Sequence, residues 1–461
     1  MEAIMSDKKR TLCDSGERGD SRAHRRDFLK GLAAVSGASV IAAAMPPRAA
    51  GAEPAAGTTP TVAPATNAPP STKDTFGIKP REIPFAPASH ADKDTGRRVT
   101  RLFPAGQQAC HAYFTSTSYD GAGRLVLSAQ VDGRYQLVRA DLRRGTLQCL
   151  TDLSAMRAHS FCVCPAKDLA IVNDGGRSVR VDLATGACKT ILSAPKGFNL
   201  GLPTVDAAGK RIAFVVAQEM PGLPTANVIY SGMPQTFYSR PHCLIVTVNL
   251  DDDSTAVVWG ETEWISHVLI SPVDPDTIVF CHEGGNLADN RLWVVDARPY
   301  RKKHAKCLYP EKYEEWLVHE YFCKDGTVGV QITEYDPSDA TQYASKAIYT
   351  GILFLKTDGR VVARYKLPGW RCGHMQSNSG NSVIVGDGYL PKPDSNWKEG
   401  GQYLSLNYPE GDRLRVERLC YHGTSWRTQE SHPHPIFSPD DRQVLFSAEV
   451  EASNSVYVVD L

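Results

Sequence analysis

Asp132-Gly-Arg-Tyr-Gln-Leu-Val-Arg-Ala-Asp-Leu-Arg-Arg-Gly145 is a β-rich run that follows a polar turn and ends in an aspartate and a second turn. The motif recurs at Arg177-Ser-Val-Arg-Val-Asp-Leu-Ala-Thr-Gly186, Leu244-Ile-Val-Thr-Val-Asn-Leu250, Arg291-Leu-Trp-Val-Val-Asp296, Ile352-Leu-Phe-Leu-Lys-Thr-Asp-Gly359, Gln402-Tyr-Leu-Ser-Leu406 and Ser455-Val-Tyr-Val-Val-Asp-Leu461, seven times in all. Repeat families with four-stranded blades use about 40 to 45 residues per blade, and propellers run from about four to eight blades. Seven somewhat long blades absorb residues 97–461, so the expected fold is all-β: a seven-bladed β-propeller forming a single domain. Arg97-Arg-Val-Thr-Arg-Leu102 is expected to add the outermost strand to the last blade, closing the ring and removing an exposed edge. Residues far apart in the chain then meet where innermost strands converge on the central channel. The long insertions at 220–240 and 391–400 are expected to wall its mouth.

The first part of the 461-residue chain reads differently. Arg25-Arg-Asp-Phe-Leu-Lys30 followed by the apolar run Gly31 to Ala44 has the basic start, short hydrophobic stretch and small-residue exit of a signal peptide, with the paired arginines of the twin-arginine route. Residues 1–50 are therefore expected to direct export to the periplasm or beyond. The apolar run is too short and too rich in Ala and Gly for a stable membrane span, though a retained anchor is the rival reading. Residues 51–96, dominated early by Pro, Ala and Thr, are expected to be a linker.

Twin-arginine export carries folded proteins, often with a cofactor already loaded. Of the twelve cysteines, eleven follow Cys13, an odd number without a paired framework. Cys162-Val-Cys164 places two thiols on one strand face, but no second pair completes a metal site. Most cysteines are expected to be small buried hydrophobes. Lys plus Arg equals Asp plus Glu at 51 each, which gives no broad basic surface for nucleic acid.

Gln429-Glu-Ser-His-Pro-His-Pro435 gathers three metal-ligand side chains. His432 and His434, two residues apart, fall on the same side of an extended strand and can share one ion. Pro433 and Pro435 remove backbone donors, which suits an edge or inner-rim segment facing a cavity. Gln429 can add a carbonyl oxygen. The plain alternative is a Pro-rich turn with two solvated histidines. A missing ligand is sought in Phe280-Cys-His-Glu-Gly-Gly285, where the buried strand Thr277 to Cys281 ends in His282 as Glu283-Gly284-Gly285 breaks it. Glu283 can be a further ligand or can orient an imidazole; His282 can equally be a buried histidine bonded to a carbonyl.

These segments, with Val385-Gly-Asp-Gly388, Thr424-Ser-Trp426, Cys110-His-Ala-Tyr-Phe114, Ser266-His267 and His319-Glu320, resemble the oligogalacturonate lyases, polysaccharide lyase family 22, in order over roughly residues 97–461. The resemblance implies a divalent metal, usually manganese, held by residues that look like Gln429, His432, His434 and His282. It also implies β-elimination at a uronic acid in a short oligogalacturonide or related uronide. A C5 proton beside a carboxylate is too weakly acidic to be removed unaided, and a cation on that carboxylate stabilises the enolate-like transition state.

The chain departs from the family at the base. The family histidine precedes a proline and cysteine in the third-blade insertion, and here that stretch is Phe237-Tyr-Ser-Arg-Pro-His-Cys243. Three readings stand open: His242 is the base through a shifted loop, Arg240 or Tyr238 takes the role, or the protein binds uronides without cleaving them. His319 and His374 match family motifs and are expected to touch substrate; His111 and His267 lie near strand ends, where a structural role competes. Arg291 can grip a second uronate carboxylate bidentately or be an ordinary surface arginine. The rival of another class is a non-catalytic periplasmic propeller that binds uronides or scaffolds proteins. A serine-peptidase propeller lacks its G-x-S-x-G here.

Overall fold

The computed structural model describes residues 75–222, 232–298, 304–336, 347–367, 372–388 and 401–461. The export segment 1–50, the linker up to residue 74, the wall at 391–400 and part of that at 220–240 lie outside the described residues.

The regular structure of the described chain is almost entirely antiparallel strand, laid out as successive four-stranded meanders of a β-propeller. The local cause is visible in the first complete hairpin. Leu125–Val131 and Arg134–Asp141 pair across Asp132 and Gly133, with Val131 opposite Arg134. Both turn residues have positive φ, 51° and 80°, the geometry of a two-residue turn whose twist matches that of its strands. Leu125, Leu127, Val138 and Ala140 bury the apolar faces.

Each of the recurring motifs falls on the third strand of a meander: Arg134–Asp141, Arg177–Asp182, Cys243–Asn249, Leu292–Asp296, Ala347–Leu355, Tyr403–Glu410 and Ser453–Asp460. Six sheets result, because two meanders are joined into an eight-stranded sheet by the single parallel pair Lys366 and Arg413. Arg98–Arg101 pairs with Ser453–Asp460, so the last sheet is built from both ends of the described chain.

The linker expectation is corrected from residue 75 onward. Thr75–Gly77, Arg81–Ile83 and Ala88–Ala91 are short strands, each added to the outer edge of a different sheet. Outer strands with unpaired N–H and C=O groups recruit this segment. At its first crossing a Cβ on Gly186 would stand 2.2 Å from the Ile78 carbonyl oxygen, so only glycine fits there. All eleven described cysteines are buried and free.

Candidate metal centre

The first strand of a meander is the innermost, and six of these carry histidines on them or directly beside an end. His159 lies on Met156–Cys164, His267 on Ile265–Ile270 and His319 on Glu315–Phe322. His111 follows Ala109–Cys110, His374 precedes Met375–Ser377, and His432 and His434 precede Ile436–Phe437.

Three of these converge. Ligand nitrogens of His374, His432 and His434 lie within 4.8 Å of one another, all three residues buried. Neither ring nitrogen of His432 or His434 has a hydrogen-bond partner, and all four atoms are sealed from solvent. Unpaired buried polar atoms are costly, each by roughly 1–3 kcal/mol, so their clustering fits a bound cation. Burial pushes His432 down to about 3 and His434 and His374 well below the usual imidazole range, with neighbouring histidines adding to it. Neutral imidazole is the ligating form.

His374 is held from behind. Its Nδ1 lies 2.7 Å from Oδ2 of Asp387, whose Oδ1 accepts the N–H groups of Gly373 and His374. Burial pushes the Asp387 carboxyl up as it pushes the imidazole down. With a cation at Nε2, the proton they share sits on Nδ1 and is accepted by Asp387, the usual carboxylate support of a metal-bound histidine.

Local structure aims the other two. Gln429–Ser431 forms a tight turn closed by reciprocal Thr428 and Ser431 side-chain bonds, and Gln429 O accepts the His432 N–H at 3.2 Å. Thr424 Oγ1 donates to Ser431 O, tying in the Thr424-Ser-Trp426 segment, and the Trp426 ring lies 5.0 Å from that of His432. His434 has φ of +48° ahead of Pro435, a conformation disfavoured for a side-chain-bearing residue and more so before proline. Strain of this kind costs on the order of 1–3 kcal/mol and persists where the surroundings over-determine it.

His282 does not join these three. It ends Thr277–His282, the second strand of its meander, one step out from the innermost layer. Its Nε2 is bonded to Glu261 Oε1 at 2.7 Å and its ring lies 4.8 Å from Trp293. The third imidazole is His374, which the sequence placed on substrate. His319 sits against it, ring centroids 4.2 Å apart, with Nδ1 on Gln331 Oε1. Arg291, expected to grip a uronate, is buried and engaged: Nε–H donates to Glu320 Oε2 at 2.6 Å, and an ion pair reaches Glu283.

The third-blade insertion does fold onto the His282 turn. The helix Met233–Ser239 lays Phe237 so close to Gly284 that a Cβ there would meet its ring at 2.4 Å. Its polar residues are used elsewhere: Arg240 pairs with Glu263 at 2.7 Å, Tyr238 is exposed, and exposed His242 donates its N–H to Gln218 Oε1. Sequence reasoning missed Asp387, which stood in view only as part of a generic Gly-Asp-Gly turn. It also missed Tyr113, whose ring centre lies 4.8 Å from His434 and 5.4 Å from His267.

Residues 78–461 match the family model for oligogalacturonate lyase. The chain is 26% identical over 401 residues to an oligogalacturonide lyase of Pectobacterium atrosepticum and 25% identical over 399 residues to an oligogalacturonate lyase of Dickeya dadantii. Each alignment covers 82% of this chain and 97% of the relative. Among solved structures, an oligogalacturonate lyase in complex with manganese superposes with a TM-score of 0.71 at 24% identity, and one from Vibrio parahaemolyticus with 0.72 at 22%. Each comparison covers 83% of this chain and 98% of the other. With a family match over residues 78–461, this chain belongs to the oligogalacturonate lyase family.

Proposed function

We propose that this protein is a metal-dependent lyase that cleaves short oligogalacturonides by β-elimination, built as a seven-bladed propeller and exported by the twin-arginine route. The observation that carries the activity is the buried trio of His374, His432 and His434, in which the unpartnered nitrogens of His432 and His434 make an unfavourable arrangement unless a cation fills it. Gln429, from the turn leading into His432, is the fourth ligand in this reading. Manganese is the metal, in keeping with the manganese complex of the similar lyase.

A divalent cation held by these residues would supply charge to offset the uronate carboxylate and the charge that builds at C5. The chain does the rest. Asp387 fixes His374, the Gln429 turn presents His432, and an imidazole of the same channel takes the proton. The seven-blade count rests on the seven motifs and their common third-strand position. Export rests on Arg25-Arg26 and the Gly31 to Ala44 run, and predicts that replacing both arginines by lysine retains the protein in the cytoplasm.

The test of function is the ultraviolet absorbance of an unsaturated uronate on mixing the manganese-loaded protein with di- or trigalacturonate. Absorbance that grows and stops on chelation supports the lyase. A metal-loaded protein that binds these sugars and forms no product establishes the alternative, a non-catalytic uronide-binding propeller.

A further inference from the structure

Residues 75–101 do more than lengthen three sheets. In chain order, Thr75–Gly77 lies on the outer strand of the second sheet and Arg81–Ile83 on that of the first. Ala88–Ala91 then lies on Arg98–Arg101, which itself lies on Ser453–Asp460 of the last sheet. The chain therefore crosses the boundary between the last and first sheets twice, at residues 84–87 and again at 102–108.

That boundary is where the ring is weakest. The last sheet is tied to the start of the chain by a ladder of three residue pairs, Val99, Thr100 and Arg101 against Val459, Val458 and Tyr457, whereas the next ladder inward, between Gln443–Val450 and Ser453–Asp460, has eight. Each backbone bond gains little net of the water it displaces, so so short a ladder is a poor closure by itself.

Side chains on both sides of the boundary reinforce it. The turn at residues 92–97, between Ala88–Ala91 and Arg98–Arg101, reaches Arg413–Tyr421, the outer strand of the preceding meander. Buried Asp92 accepts the Tyr421 N–H through Oδ2 at 2.8 Å and the N–H groups of Asp94 and Thr95 through Oδ1. The Thr95 hydroxyl lies 3.0 Å from the Leu419 carbonyl oxygen, the Tyr403 hydroxyl donates to Asp94 at 2.6 Å, and Arg97 pairs with Glu417. Burial alone would raise the Asp92 carboxyl, but the bonds from Tyr421 and Thr95 hold it below its usual range. Across the boundary, Phe76 packs on the core of the second sheet under the Arg177 guanidinium, 4.8 Å from its ring centre. Ile83 and Phe85 pack on the core that the first and last sheets share, Phe85 at 6.5 Å from Phe103.

We propose that residues 75–101 are a conformational clasp: the hairpin of Ala88–Ala91 and Arg98–Arg101 closes the ring, the turn at 92–97 latches that hairpin to the preceding meander, and release of the latch is the step by which the ring opens short of global unfolding. If the hairpin leaves the last sheet, the three-pair ladder and the bonds of the turn must break together. If it stays, Phe76, Ile83 and Phe85 must strip from the first and second sheets. The two meanders that the latch joins carry His374 and the His432, His434 pair at their inner ends, so the clasp spans the two halves of the trio. Asp92 and Tyr421 are 329 residues apart, and contacts of such separation form once the elements between them are in place.

The experiment is native-state hydrogen exchange on the manganese-loaded full chain, beside the variants Asp92→Ala and Thr95→Val. Asp92→Ala removes a charged acceptor and is expected to speed exchange at residues 99–101 and 457–459 by about 10- to 100-fold. Val279 and Phe280, in the strand Thr277–His282 of a sheet the clasp does not touch, are expected to keep wild-type rates. Thr95→Val gives the same pattern at smaller size. In unfolding and refolding jumps, Asp92→Ala is expected to raise the unfolding rate and leave the refolding rate unchanged, the mark of an interaction made after the transition state. Equal acceleration throughout the fold makes Asp92 an ordinary stabilising residue and overturns the proposal, as does an unchanged rate at the closing ladder. If Asp92→Ala does not fold, Thr95→Val, which loses only a hydroxyl bond of the same turn, decides by the same two criteria.

Discussion

Oδ2 of Asp387 lies 2.7 Å from Nδ1 of His374, thirteen residues back along the chain, while its other oxygen is pinned by two backbone N–H groups of the segment it supports. The acid therefore orients the imidazole and is itself held in place. Asp387→Asn is expected to weaken manganese binding by about 10- to 100-fold, the range found for partners that support metal-bound histidines. Metal titration of the chelated protein measures it, and unchanged affinity would remove Asp387 from the site.

The ligand set exchanges two histidines, since the sequence reading put His282 on the metal and His374 on substrate. His374→Ala should abolish stoichiometric manganese in the purified protein, while His282→Ala should retain it, because Glu261 and Trp293 rather than the trio surround that ring. Elemental analysis of the two variants side by side decides it; the reverse result restores His282 as the third ligand.

Stability of the metal-free protein should fall in two stages on acidification. His422 is buried and burial pushes it down to about 3, so its contribution is complete above the ordinary value of 6.5 and is lost as pH falls toward 3. Glu283 follows. Burial opposes its ionisation, but Arg291 and then His267 bring it to about 2, so its contribution is complete above 4.5 and fades as pH falls toward 2. A difference of this size corresponds to on the order of 3 kcal/mol. Calorimetric melts between pH 7 and pH 3 should show Tm already falling between pH 6 and 5, and Glu283→Gln should flatten the decline below pH 4.5. A Tm that holds steady until pH 4 would contradict the first stage.

The N-terminal strands should depend on one glycine. Gly186→Ala puts a methyl group against the Ile78 carbonyl and forces a residue at φ of +72°, which favours glycine. Residues 75–83 should become open to proteolysis and the denaturation midpoint should fall by an amount equivalent to about 1–3 kcal/mol. Manganese binding, which involves no residue of that edge, should persist. An unchanged cleavage pattern would show that the crossing tolerates a side chain.

Much of the fold was legible because its signals are local. A strand declares itself through alternation and a turn through residues such as Asp132-Gly133, and neither depends on distant contacts. That is why all seven repeated motifs landed on equivalent third strands. The spacing of His432 and His434 is likewise a property of one extended segment. Residues 75–96 misled for the complementary reason: their composition carries no periodic signal, and what makes them strands is the free edge of sheets formed elsewhere.

Which side chains meet was decided only by tertiary structure. His374 and His282 each looked like a histidine at a strand end, and what separates them is rank within the meander, first strand against second, which ring closure turns into a position at the channel or one layer out. Arg291 read as an available guanidinium because Glu320 lies 29 residues further on and arrives beside it only through the packing of adjacent sheets. The sequence by itself determined the repeating strands and the His-x-His pair, both products of backbone periodicity. The third imidazole, its Asp387 support and the buried Glu320 pairing came from closure of the ring, because contacts between residues far apart in the chain depend on register and sheet order, which local periodicity does not encode.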